Sequence, residues 1–167
     1  SKAADSAGNA DLDIYSFDGD KAIQIFGTDL SDDVMGWDVS AASGTSYFLF
    51  TDKDGTLCAY SGFGDEGYTD TYMKFQMDAS GMLQIDPEWS KTTGPNEEHT
   101  DNILICKKND KEVSETEYDD NISALQKNAD NLLIFNERGR DKAAEFFGNT
   151  DDTAMTYDEA IKYLGDD

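Results

Sequence analysis

Histidine occurs once in these 167 residues, cysteine and proline twice each, and arginine only at Arg138 and Arg140. Each scarcity removes a class of chemistry. One histidine and two cysteines without a CxxC spacing cannot supply the usual ligands of a zinc site. A Ser-His-Asp arrangement would have to use His99. That residue sits in the polar stretch GPNEEHTDN, with no G-x-S-x-G elbow beside it, so a surface histidine is the simpler reading. No run approaches the roughly 18–20 apolar residues of a membrane-crossing helix. Positive charge is scarce too: 13 Lys and Arg stand against 36 Asp and Glu, for a net charge of -23. Such a surface repels nucleic-acid phosphates and anionic membranes. It attracts divalent cations, basic peptides or a basic protein, although its plainest meaning is a solvated acidic coat.

What is present suffices for a folded domain. Hydrophobic residues make up 38% of the chain and aromatics 11%, and the length suits one core rather than two. The expected organisation is a flexible leader over residues 1–11 and a single α+β domain over 12–167. The opening SKAADSAGNADLD is small and polar, and lacks the apolar centre of a signal peptide. A tether of this kind commonly follows a cleaved signal or a lipid-anchored cysteine. A cytoplasmic protein with a ragged end reads the same way.

From about residue 12 to residue 107 the pattern is strand, turn, strand. DIYSF and AIQIFG flank DGD, TSYFLFT and TLCAYSGF flank DKDG, TYMKFQM and MLQI flank DASG, and NILICKK closes the series. Short strands at this spacing predict an antiparallel meander over the N-terminal two thirds, with Asp54-Gly55 as a two-residue hairpin. Tyr72, Lys74 and Gln76 alternate with Met73, Phe75 and Met77, as in a sheet with one buried face. Then the period changes. Ser114 and Glu117 form a capping box, followed by Tyr118, Ile122 and Leu125 on one helical stripe. NLLIF leans towards a strand. RDKAAEFF reads as a short helix ended by Gly148, and TYDEAIKYLG as a last one, with Thr156 and Glu159 as a second box and Gly165 as its stop. C-terminal helices therefore pack against the sheet.

Candidate sites have a functional and a plainer reading each. Cys58 and Cys106 pair only if their Cα atoms come within about 7 Å, and are otherwise small core residues. DKDGT, at residues 52–56, spaces oxygens as a calcium loop does, but its glycine comes fourth rather than sixth and a hairpin explains it. The loop acids Asp65, Glu66 and Asp70, and Asp29, Asp32 and Asp33, offer hard-cation ligands or ordinary solvated charge. No cofactor is expected beyond that calcium option. Arg138, Arg140 and Lys142 are the one compact basic spot, an anion clamp or simply partners for nearby carboxylates. Phe63, Tyr68 and Trp89, read as loop aromatics, suggest a recognition surface for a glycan or a protein. Paired acids for a hydrolase are available in number, but their separation decides that chemistry and sequence does not give it.

The junction NDKEVSETEY, residues 109–118, resembles a segment of mostly uncharacterised secreted lipoproteins of Gram-positive gut bacteria. Asp110 stands where the family-like form has glycine. The Tyr-rich hairpins and acidic leader look like the same group. The resemblance implies an extracytoplasmic, lipid-tethered domain and carries over no catalytic residue. Three functions follow in order: a non-enzymatic binding or structural domain, an acidic inhibitor or immunity-type protein covering a basic partner, and a hydrolase working through loop carboxylates.

Overall fold

The computed structural model describes residues 14–17, 20–26, 46–64, 67–95, 101–135, 137–148 and 155–156. The leader, Asp29, Asp32, Asp33, Asp65, Glu66, His99 and the expected last helix beyond Thr156 lie outside the described residues.

Strands β1 (Ile14–Phe17) and β2 (Ala22–Phe26) form a hairpin of their own, with Phe17 opposite Ala22. The main sheet is built from β3 (Ser46–Asp52), β4 (Leu57–Gly64), β5 (Tyr68–Met77), β6 (Leu83–Pro95), β7 (Asn102–Lys108) and β8 (Lys111–Val113), each antiparallel to the next. Helix α1 (Glu115–Asn128) follows, then β9 (Ala129–Phe135), a 3₁₀ turn (Glu137–Gly139) and helix α2 (Arg140–Phe147). NLLIF is thus a strand, and it pairs antiparallel with β3 on the side away from β4. β10 (Met155–Thr156) adds to β9 in parallel, so seven strands are antiparallel and the eighth is not. The fold is α+β, a sheet with helices. As expected, helices pack on an antiparallel sheet, and the late strand β9 returns to the sheet's first edge beside β3.

The β3–β4 and β5–β6 hairpins close by one device, D-x-x-G-x. In residues 52–56 the Asp52 amide donates to Thr56 O (3.0 Å) and the Gly55 amide to Asp52 O (2.9 Å). Asp52 Oδ1 accepts from the amides of Asp54 (3.0 Å) and Thr56 (2.9 Å). In residues 78–82, Asp78 accepts from the amides of Ser80 and Met82 in the same way. Gly55 and Gly81 sit at φ of 79° and 85°, where a Cβ is strained. The expected two-residue turn at Asp54-Gly55 is therefore a three-residue loop with glycine in the left-handed position.

Buried clusters lie on both faces of the sheet, not on one. Phe48, Phe50, Cys58, Tyr60, Trp89 and Cys106 face the helices, which set Tyr118, Leu125, Ala143 and Phe146 against them. Leu49, Ala59, Met73 and Phe75 form a second cluster with Leu57, Leu83 and Ile85. The reason is visible in β3, where YFLF is apolar without alternation and all four residues are buried. α1 starts where expected: the Glu117 amide donates to Ser114 Oγ (3.1 Å), and Tyr118 and Leu125 are buried. α2 ends at Gly148, whose φ of 78° and bond to Ala144 O (2.8 Å) make a left-handed stop.

Candidate functional site

β5 and β6 pair so that Asp70 lies opposite Lys91, with Tyr72 one pleat further along the same face. Two helices close over that row. α1 presents Tyr118, Asp119, Ile122, Ser123 and Gln126, at spacings that share a side. α2 presents Lys142, Glu145 and Phe146 at i, i+3 and i+4. Between them lies an open cleft of about 290 Å³.

Charge in the cleft is paired. Lys91 Nζ donates to Glu115 Oε1 (2.8 Å), lies 3.5 Å from Asp119 and sits 5.7 Å above the Tyr118 ring. The Glu115 hydrogen bond is the main cause that raises its pKa, against the opposing effect of burial. Lys142 Nζ stands 4.0 Å from Asp70 and 3.8 Å from Glu145, above the Tyr68 ring at 5.8 Å. Asp70 in turn accepts from Tyr60 OH (2.6 Å), which meets Tyr68 OH (3.0 Å), which meets Ser46 Oγ (3.1 Å). This hydroxyl chain lies over Gly62. A Cβ there would run into the Tyr60 and Tyr68 hydroxyls, so glycine is required by space.

The aromatic floor is packed on itself. Tyr72 lies 5.0 Å from Tyr60 and 5.5 Å from Phe146 between ring centroids, so its faces are covered. Burial pushes the Tyr72 and Tyr118 hydroxyls to higher pKa. Among the described residues neither hydroxyl meets a hydrogen-bond partner. Neither is sealed off, since among the described residues Trp89 Nε1 is the one fully buried side-chain polar atom without a partner. Both tyrosines line the cleft.

The sites expected from sequence are placed differently. Arg138 lies exposed in the 3₁₀ turn and Arg140 exposed at the start of α2. Two positions apart on a helix is about 200°, so Arg140 and Lys142 diverge, and Lys142 alone joins the cleft. The three do not converge on one anion. Phe63 is 50% exposed, but it pairs with Thr69 while Tyr68 pairs with Gly64, so the two rings point to opposite faces. Trp89 is on a strand and in the core at 6% exposure. Those three are not one surface. Of the expected metal set, Asp70 is engaged by Tyr60 and Lys142, and among the described residues no group of three or more His, Cys, Asp or Glu is placed to hold a metal. In DKDGT both Asp52 oxygens serve the hairpin, one accepting from the two amides and the other from Lys74 Nζ (2.8 Å). Cys58 and Cys106 are free, buried thiols. They sit on β4 and β7 with two strands between, about 14 Å at the usual spacing, far beyond disulfide reach.

Lys91, Tyr118 and Glu145 went unnoticed in the sequence as site residues. Comparison of the chain with protein-family models, curated proteins and solved structures returns no match.

Proposed function

We propose that this chain is a non-catalytic binding domain of a secreted or surface-tethered bacterial lipoprotein, and that its ligand enters the cleft between α1, α2 and β5–β6. The observation that carries the reading is the pair of tyrosines lining the cleft, Tyr72 and Tyr118, whose hydroxyls have no hydrogen-bond partner among the described residues, beside lysines already engaged by carboxylates. Binding rather than turnover is supported by the direction of the shifts. Lys91, Tyr72 and Tyr118 all move away from neutrality, whereas a proton-transferring group works best near the operating pH. The extracytoplasmic location rests on the resemblance carried by NDKEVSETEY and on the leader's composition.

A thermal-shift screen of sugars, amino acids, short peptides and polyamines tests the site. At least one class should raise the Tm of the native chain and not that of Ser123→Trp, which fills the cleft from an exposed position. A Tm unmoved by every class removes the proposal. Location is tested by adding protease outside intact producing cells, where the chain should be digested.

A second reading has its own observation. Asp110, Glu112, Glu115, Glu117, Asp119 and Asp120 are all exposed along the β7–β8 turn and the first half of α1. Exposed acids at this density suit a basic protein partner. Its association rate should then fall at least tenfold between about 0.02 and 0.5 M salt, and a rate indifferent to salt excludes it.

A further inference from the structure

We infer that the cleft takes a neutral polyhydroxylated ligand, a carbohydrate ring, rather than an ion; this rests on the cleft being the binding site. The walls carry both signs. A cation finds its places already occupied, because Lys91 sits on Glu115 at 2.8 Å and near Asp119 at 3.5 Å, while Lys142 stands between Asp70 and Glu145. An anion reaches the same ammonium groups only by coming against those carboxylates, within a molecule of net charge -23. A hydroxyl suffers neither conflict. It donates to a carboxylate with one side and accepts from an ammonium with the other, and vicinal sugar hydroxyls do both at once.

The uncommitted groups match that chemistry. Tyr72 OH, Tyr118 OH and the exposed Ser123 hydroxyl each donate and accept, as sugar hydroxyls do. The volume of about 290 Å³ is at the small end of ligand sites and suits one sugar ring. Stacking is not the mode of capture, because Tyr72 is covered by Tyr60 and Phe146 and Tyr118 lies under Lys91. Affinity set by hydrogen bonds alone falls at about 0.1–10 mM.

The test is a titration of the whole chain, followed by NMR, with glucose, galactose, N-acetylglucosamine and cellobiose. Glucosamine and glucuronate serve as the cationic and anionic comparators. A neutral sugar should shift the amides of Tyr118, Ser123 and Gln126. The double variant Tyr72→Phe/Tyr118→Phe should bind it about tenfold more weakly, with no loss of Tm, since neither hydroxyl has a hydrogen-bond partner to lose among the described residues. Shifts produced only by glucosamine or only by glucuronate overturn the neutral class while leaving the cleft as a binding site. A neutral sugar held equally by the native chain, the double Phe variant and Ser123→Trp binds elsewhere and also overturns the inference. Silence from all six probes overturns it too, and the wider thermal-shift screen then decides separately whether the cleft binds anything.

Discussion

Asp52 keeps a charged carboxylate at 1% exposure, at the mouth of a hairpin. Burial alone would raise its pKa. The Lys74 hydrogen bond, the Thr56 and Asp54 amides and the Lys74 charge together reverse that and hold it below its ordinary value of 3.8. A depressed folded-state pKa means that the stabilisation is complete above the unfolded value and is lost as pH falls through the folded one. Asp52→Asn should therefore cost about 2–3 kcal/mol at pH 7, because it leaves Lys74 without its partner and weakens two amide bonds. Denaturant melts should show that gap narrowing below pH 4. Cysteine gives a second expectation. Burial pushes Cys58 up to about 12, and its thiol donates to Thr56 O at 3.6 Å; burial raises Cys106 as well. A disulfide-exchange reagent at pH 8 should find no reactive thiol in the folded chain and two after denaturation, with Tm indifferent to reductant. Single residues were legible in sequence where their role is local, as at Ser114 or Gly148. Trp89 was not. Asp86-Pro87 just before it looks like a loop, yet the register shift there is a bulge inside a long strand, and the ring turns inward beyond it.

Elements closed by their own turn residues were readable because glycine in a left-handed position and an aspartate that accepts from amides leave a signature within five residues. The β7–β8 turn is the exception that tests the rule. Asn109 and Asp110 hold φ of 48° and 62°, and Asp110 has a Cβ where glycine would have none. Its charge also adds to burial in raising the Glu88 pKa. Asp110→Gly should accordingly raise stability by about 0.5–1 kcal/mol, measured as a higher denaturant midpoint with an unchanged slope. NLLIF was ambiguous for the opposite reason. Its identity as a strand is decided by β3, some 80 residues upstream, and no local pattern records that pairing. The short β8 was hidden for a related cause: three residues are too few to show a period.

At the scale of the molecule, 36 acidic side chains against 13 basic ones make self-repulsion a standing cost of compactness. Adding about 0.5 M sodium chloride should raise Tm by several degrees, where a chain held mainly by ion pairs would lose stability. The cleft could not be read from the sequence, since its polar groups come from β5, β6, α1 and α2 and meet only after the sheet has formed. The acid count was plain; which acids hold Lys91 and Lys142 was not.

β3 lies between β4 and β9, and its four consecutive apolar residues leave neither face wet. During synthesis β4 is available at once, but β9 emerges only after more than seventy further residues. Until then an apolar strand stands with one side unpaired, a template for other chains. Fragments ending before Ala129 should therefore clump on the ribosome's release, and a chaperone that shelters extended apolar segments has a defined interval in which to act.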